Sequence, residues 1–309
     1  MNTDDTKTHI DKIVTPQKIS VIIPVHGRSE LLVRCLRSLD TNTDVDFEVC
    51  VVDDGSGLDE LEIREKSDVS FPLLWRSFDA VKGRSATRNE GLRSTSGDII
   101  VFLDSDMEAG DGFIRAHFQS HSEQPNTAVI GKINWPRNGS FLKYIGTRGI
   151  AKLNENDTVP PWYFVTGNAS VRRDCLPFQK PFDENLPGWG GEDLDLGMRL
   201  YNNGVRFTVN PEAVSYHHFD GDLKVHIERT FLYGSSTLPV LTARYPEILR
   251  VTKLHLLDSF IWRLLVSKVF FIPVYGFVSA LDKLPLPAAL FDYLTFASYA
   301  AGWLKGRRA

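Results

Sequence analysis

Cysteine is scarce in this chain, and the scarcity is informative. Only Cys35, Cys50 and Cys175 occur in 309 residues, widely spaced and odd in number. Cys35 and Cys50 sit in apolar stretches, so they read as buried free thiols rather than metal ligands or nucleophiles. Thiols of this kind imply a reducing, cytoplasmic compartment. Excess positive charge is missing too: the net charge is −4 and no long basic stripe occurs, which argues against a nucleic-acid partner. The turn after the first apolar run, Pro24-Val25-His26-Gly27-Arg28, lacks the Gly-x-Gly-x-x-Gly of a nicotinamide dehydrogenase. No Gly-x-x-x-x-Gly-Lys of a phosphate-loop ATPase is present either. The glycine-rich N-terminal signature of a sugar-nucleotide pyrophosphorylase is absent. So are the Gln-x-x-Arg-Trp motif and the several clear spans of a processive membrane polysaccharide synthase. Residues 1–17 are polar and lack an apolar signal core, so a flexible lead-in without a secretory peptide is expected.

What is present is an alternating pattern. With 42% hydrophobic residues, the length suits one large α/β domain, or a domain plus an appendage. Ile19–Ile23, Phe47–Val52 and Ile99–Leu103 are short apolar runs that read as buried strands, with a weaker strand near Leu73–Trp75. Between them Leu31, Leu32, Cys35, Leu36 and Leu39 recur at helical spacing, and a second helix is expected from about Arg84 to Arg93. Strands alternating with helices predict a doubly wound, mostly parallel sheet flanked by helices. In such sheets ligands bind beyond the carboxyl ends of the strands. Asp53-Asp54 and Asp104-Ser105-Asp106 both lie at such ends. A further helix is expected from Glu192 to about Asn203, then a strand from Gly204 to Val209.

Three constellations carry chemistry. Carboxylates at i and i+2 after a strand, as in Asp104 and Asp106, can point the same way and hold Mg2+ or Mn2+ beside a diphosphate. An isolated Asp-x-Asp is more often a solvated loop; its register with Asp53-Asp54 reverses that balance. In Gly188-Trp189-Gly190-Gly191-Glu192-Asp193, the glycines permit close backbone approach and the tryptophan face suits a sugar ring. Carboxylates in the first turn of a helix are kept ionised by its dipole, and one that faces a bound hydroxyl can act as a general base. In Tyr216-His217-His218, one imidazole is expected to complete a metal shell begun by the aspartates, His217 being favoured over His218 by motif position.

Together these stretches resemble the inverting family-two glycosyltransferases, which have a GT-A fold. The resemblance runs from Lys18 to Phe219. It rests on Val21-Ile22-Ile23-Pro24-Val25, Val51-Val52-Asp53-Asp54-Gly55-Ser56, Ala86-Thr87-Arg88-Asn89-Glu90-Gly91, Phe102-Leu103-Asp104-Ser105-Asp106 and Gly190-Gly191-Glu192-Asp193. The Trp-Gly-Gly-Glu-Asp stretch is also similar to that of the β-1,4-galactosyltransferases. The resemblance implies transfer of a sugar from a nucleoside diphosphate, usually UDP, with a divalent cation, Mn2+ or Mg2+. It implies that Asp54 binds the nucleobase in a pocket lined by Pro24, Val25 and Arg28. Arg84 and Arg88 would approach the base or diphosphate. Asp104 would contact the nucleotide sugar, and Asp106 with His217 would hold the metal. Asp193 would be the base, with Glu192 orienting acceptor or donor and Trp189, Gly190 and Gly191 on the acceptor side. His26-Gly27 departs from the aromatic-Asn pair common in the family.

The expected organisation is a lead-in (1–17), a catalytic domain (18–220, divided into a nucleotide half, 18–106, and an acceptor half, 107–220) and a helical, partly apolar extension (221–309). The motifs above do not reach the extension. Leu264–Ala280 is apolar but interrupted by Lys268 and Pro273, and is short for a membrane span of ~20 residues. From Ile261 onward Arg263, Lys268, Lys283, Lys305, Arg307 and Arg308 outnumber Asp282 and Asp292. That pattern suits either helices packed on the domain or a peripheral contact with the inner face of a membrane. The acceptor could be a glycan, a lipid-linked sugar or a peptide. The rival class is a non-catalytic carbohydrate- or nucleotide-sugar-binding protein on the same fold, which would need no metal and base together.

Overall fold

The computed structural model describes residues 18–42, 44–124, 126–136, 139–153, 159–177, 180–218 and 221–307. The expected lead-in, Phe219, Asp220 and Arg308 lie outside them. The first half alternates as the pattern demands. Strand β1 (Ile19–Val25) leads to α1 (Ser29–Leu39), β2 (Phe47–Asp53), α2 (Glu60–Ser67), β3 (Leu73–Ser77), α3 (Arg84–Ser94) and β4 (Ile99–Leu103). All of β2 and β4 is buried, which is why both read as unbroken apolar runs. Helix α1 turns Leu32, Cys35, Leu36 and Leu39 inward, all fully buried. Each buried leucine there contributes ~2 kcal/mol.

The second half is built from β5 (Met107–Ala109), α4 (Phe113–Glu123), β6 (Thr127–Asn134), α5 (Gly139–Ile145), β7 (Asn168–Arg172), α6 (Glu192–Asn202) and β8 (Arg206–His217). All eight strands join one sheet in the order β3-β2-β1-β4-β7-β6-β8-β5. Strands β3, β2, β1 and β4 are parallel, as are β6 and β8, while β7 and β5 run antiparallel to their neighbours. The doubly wound, mostly parallel sheet therefore carries an antiparallel seam at its middle. Strand β8 does not stop at Val209. It continues through a bulge, where the partner of Gly131 is Asn210 but that of Lys132 is Val214. The bulge absorbs Pro211, which has no N–H to give to a ladder.

The remaining chain is helical: α7 (Leu223–Ser235), α8 (Thr237–Arg244), α9 (Ile248–Val251), α10 (Phe260–Leu265), α11 (Lys268–Ala280) and α12 (Ala288–Gly306). Met198 of α6 shares one apolar cluster with Leu238, Leu241, Leu254, Ala297 and Trp303. Helices α7 and α12 touch backbone to backbone: a β-carbon at Gly234 would strike Tyr299, and one at Gly302 would strike Phe231. Among the described residues, no helix is long and apolar enough to cross a membrane.

Candidate active site

Strand ends and helix starts converge on one cavity of about 600 Å³, well within the range of small-molecule sites. The chain leaves β1 through Gly27 and Arg28, both left-handed (φ 65° and 54°), and that kink turns it into α1. A non-glycine residue there is uncommon and carries strain. Pro24, Val25 and Arg28 line the cavity beside Asp54. Of the acidic pair after β2, Asp53 is fully buried and secures the turn by accepting from Ser56 and from the backbone of Leu58. Asp54 reaches across to the start of α3, accepting from Lys82 N–H (2.7 Å) and Gly83 N–H (3.0 Å).

That anchor sets the face of α3. Arg84 and Arg88, one turn apart, project together toward α6. Arg88 is buried, its side chain 3% exposed. It donates to Asp104 Oδ1 (3.0 Å) and Glu192 Oε1 (3.0 Å) and lies 3.9 Å from Asp193 Oδ1. Its Nε has no hydrogen-bond partner among the described residues. The three carboxylates raise its pKa further, against the effect of burial.

Glu192 and Asp193 open α6 yet titrate apart. Glu192 is desolvated, but Arg88 and Arg84 hold its carboxyl below the usual range. Asp193 is pushed up to about 6, first by burial and then by the charge of Glu192, with Arg88 and the Thr166 hydroxyl opposing. The helix dipole alone would have kept both ionised; burial, together with the neighbouring carboxylate, overrules it for one of them. Thr166 donates to Asp193 through its hydroxyl (2.6 Å) and its N–H (3.3 Å), fixing the side chain. Neither acid lines the cavity; Arg88, which does, links both to it.

Register brings the third constellation in. Met107 of β5 pairs with His217 at the end of β8, so the Asp-x-Asp turn and the histidines meet. His217 Nε2 lies 3.4 Å from Asp106 Oδ1. His218 turns elsewhere, with Nε2 2.7 Å from Glu108 and Nδ1 3.1 Å from Arg34. Although burial works against it, His217 and Arg28 hold the Asp106 carboxyl below its ordinary value. Among the described residues no group of three or more His, Cys, Asp or Glu side chains forms a metal cage. Asp106 and His217 offer one carboxylate and one imidazole, a donor set that fits Mn2+ or Mg2+ when substrate oxygens supply the remainder. Cys35 lies beneath this turn and Cys50 is part of β2; both are buried free thiols. Burial raises both thiol pKa values, that of Cys50 to about 12, so neither is a nucleophile.

Trp189 lines the same cavity. The guanidinium groups of Arg84 and Arg229 lie over its ring, 4.9 and 5.5 Å from the centroid. Gly190 and Gly191 face α7 and α8 instead. A β-carbon at Gly191 would lie 2.7 Å from Thr237 and 2.9 Å from Leu241, so here the bare backbone makes room for packing. The sequence reading missed one wall altogether. His226, Arg229 and Thr230 of α7 line the cavity, as do Trp135, Phe141 and Ile145. The spacing of the α7 trio, three and four residues apart, was the available signal.

The profile of Glycosyl transferase family 2 matches residues 20–176, just over half of the sequence. This chain belongs to that family. The profile of Glycosyl transferase family group 2 matches residues 99–304 and so enters the helical segment that the sequence motifs leave unmatched. The uncharacterized glycosyltransferase YfnE of Bacillus subtilis is 31% identical over 253 residues, 65% of this chain and 64% of that one. The chain spans under two thirds of the length of such curated relatives. Among solved structures, the mannosyltransferase PcManGT from Pyrobaculum calidifontis, in complex with GDP-Man and Mn2+, superposes with a TM-score of 0.65 at 15% identity. It covers 94% of this chain and 88% of that one. S. aureus TarS 1-349 in complex with UDP-GlcNAc gives a TM-score of 0.57 at 19% identity, over 94% and 92% of the two chains. At these identities the likeness concerns the fold, and the expected GT-A architecture stands.

Proposed function

We propose that this family-2 protein transfers a sugar from a nucleoside diphosphate sugar, UDP by preference, to an acceptor hydroxyl with inversion at the anomeric carbon. The observation that carries the reading is the meeting of Asp104, Asp106, His217 and Arg88, with Glu192 and Asp193 behind it, at one cavity. The TarS complex motivates the choice of UDP, and the mannosyltransferase complex motivates a divalent cation.

In this reading residues 18–106 hold the donor, residues 107–220 the acceptor, and residues 221–309 complete the wall. Asp54, already fastening the start of α3, retains acceptor lone pairs for a uracil N–H beside Pro24, Val25 and Arg28. Arg84 and Arg88 face the diphosphate, and Asp104 the donor's ribose or sugar. Asp106 and His217 would hold Mn2+ or Mg2+, which neutralises charge on the leaving diphosphate. Trp189, with Gly190 and Gly191 shaping its turn, presents a face to the acceptor. The acceptor oxygen attacks the anomeric carbon opposite the leaving group. Its proton passes to Asp193, whose side chain is 24% exposed beside the cavity-lining Arg88, and the bond to the diphosphate oxygen breaks. A carboxylate raised to about 6 is a well-matched base near neutrality. Glu192, paired with Arg88, stays charged and orients the reacting groups.

The deciding experiment incubates the protein with a panel of nucleotide sugars and follows nucleoside diphosphate release and product configuration. Turnover giving an inverted product that falls ~10²–10⁴-fold in Asp193→Asn is expected. A retained configuration refutes the mechanism. Tight nucleotide binding without turnover on any acceptor would instead favour a non-catalytic binding protein.

A further inference from the structure

Helices α10 and α11 wear their apolar side chains outward. Among the described residues, most large hydrophobic side chains that stand exposed fall between residues 260 and 284. Phe260 is 77% exposed, Val269 71%, Ile261 66% and Ile272 59%. A surface helix normally turns charged residues to water. Helix α11 has none after Lys268 in its first position: Val269, Phe270, Ile272, Pro273 and Phe277 all face out. Its other side is well used, since Val278, Phe271, Val274 and Tyr275 pack into a cluster with Phe141 of α5 and Phe291 of α12. The outward face is therefore a second, unpartnered apolar surface on an ordered helix. Clusters of exposed apolar side chains of this kind mark interaction sites.

We propose that the α10–α11 face docks on the surface of an anionic lipid bilayer. Charge selects this occupant. Arg263 of α10, whose Nε donates to Leu257 O, Lys268 at the start of α11 and Lys283 just past its end are all exposed, and anionic headgroups would meet them when the face enters the lipid. Of the nearby acids, Asp282 is turned inward and accepts from the N–H of Phe141, and Asp258, exposed just before α10, is outnumbered by the three basic groups. Trp262 and Phe270, partly exposed at the edge, suit the interfacial zone. Helix α11 has only 13 residues with Pro273 inside it, so it lies in the surface and does not cross it. Helix α12 takes no part, because Phe291, Leu294, Ala297 and Trp303 are buried. The sequence left the whole tail as either packed helices or a membrane contact; the fold buries one face of α12 and leaves apolar side chains of α10 and α11 exposed. Position adds a consequence. Helix α5, on which α11 packs, supplies Phe141 and Ile145 to the cavity wall, so lipid would lie one helix away from the bound acceptor.

The test is flotation of the full chain with vesicles of phosphatidylglycerol and phosphatidylcholine, and with phosphatidylcholine alone, at low and high salt. The wild type is expected to float with the anionic vesicles and to be released as salt rises. Val269→Asp/Ile272→Asp, at two well-exposed positions, should lose flotation with an unchanged melting temperature and unchanged UDP affinity. Lys268→Glu/Lys283→Glu should weaken anionic binding by roughly tenfold or more. Wild type that stays in the aqueous fraction overturns the proposal, as does flotation indifferent to either variant. A lipid-indifferent dimer that Val269→Asp/Ile272→Asp converts to monomer overturns it in favour of a second copy of the chain.

Discussion

Arg88→Met tests the electrostatic core of the site independently of any assay for sugar transfer. The substitution keeps much of the side-chain volume and removes the one guanidinium shared by Asp104, Glu192 and Asp193. Removing one partner of a buried ion pair costs about 3–5 kcal/mol, because the other charge is left without compensation. Asp104 is more open than Glu192, with side-chain exposures of 37% and 8%. Water therefore screens part of the loss, and about 3 kcal/mol is expected near neutral pH. For a chain of this length that is a fall of about 6 °C in melting temperature. The sign with pH follows from Glu192. Its carboxyl is held low in the folded protein, so it stabilises above its unfolded pKa, and that contribution fades as pH falls. The variant lacks this contribution and lets its carboxylates take up protons instead. The deficit should stay full from about pH 8 to about pH 5 and shrink only below the ordinary Glu value of about 4.5, toward about pH 3. Arg88→Lys should recover only part of it, since an ammonium cannot fork between two carboxylates. Thermal denaturation followed by circular dichroism across that range decides. A variant as stable as the parent at about pH 8, or a deficit that does not change with pH, would refute the reasoning.

Four further outcomes are expected. If Asp193 is the base as proposed, the rate profile should fall on the acid side with an apparent pKa near 6, because the carboxyl must be unprotonated to accept the proton. Glu192→Gln should move that limb to lower pH by removing a like charge, which a pH series of kcat/KM would register. Asp106→Asn should abolish the enhancement of UDP binding by Mn2+ in calorimetry while UDP alone still binds; an unchanged Mn2+ effect would remove Asp106 from the metal site. Gly302→Val should destabilise the fold by about 3 kcal/mol or more, since its side chain would strike the backbone of Phe231. Denaturant titration measures the loss, and a neutral result would mean that α7 and α12 can separate without cost.

Much of the nucleotide-side scaffold was legible because burial there is simple. Strands enclosed on both faces leave nothing but apolar letters, as in Ile99–Leu103, and α1 repeats leucine on one stripe. Helix α2 escaped notice because only Ile63 and Ser67 are buried; its signal was Asp59, which caps the N–H groups of Leu61 and Glu62. The strand carrying His217 looked finished at Asn210-Pro211, and only pairing with β6 shows how a bulge lets it continue. The acidic turns were placed correctly at strand ends, but the sequence could not separate Asp53, which holds its own turn, from Asp54, which holds another segment's. Glycines 190 and 191 show a different limit. Room left for a ligand and room left for Tyr233, Thr237 and Leu241 look identical in one dimension. The shift on Asp193 was equally hidden, since it depends on burial and on a shared arginine from another helix.

Helix α7 belongs to two structures at once. One face supplies His226, Arg229 and Thr230 to the cavity, while Gly234 seats it on α12. The strut and the wall are thus a single inherited unit. Recombination that replaced the segment after β8 with that of another family member would leave Asp54, Arg84, Arg88, Asp104, Asp106 and His217 in place and install a new cavity wall, already braced by its own helix. A cavity of new shape would then arise by exchange of one contiguous stretch of gene rather than by scattered substitutions across the sheet.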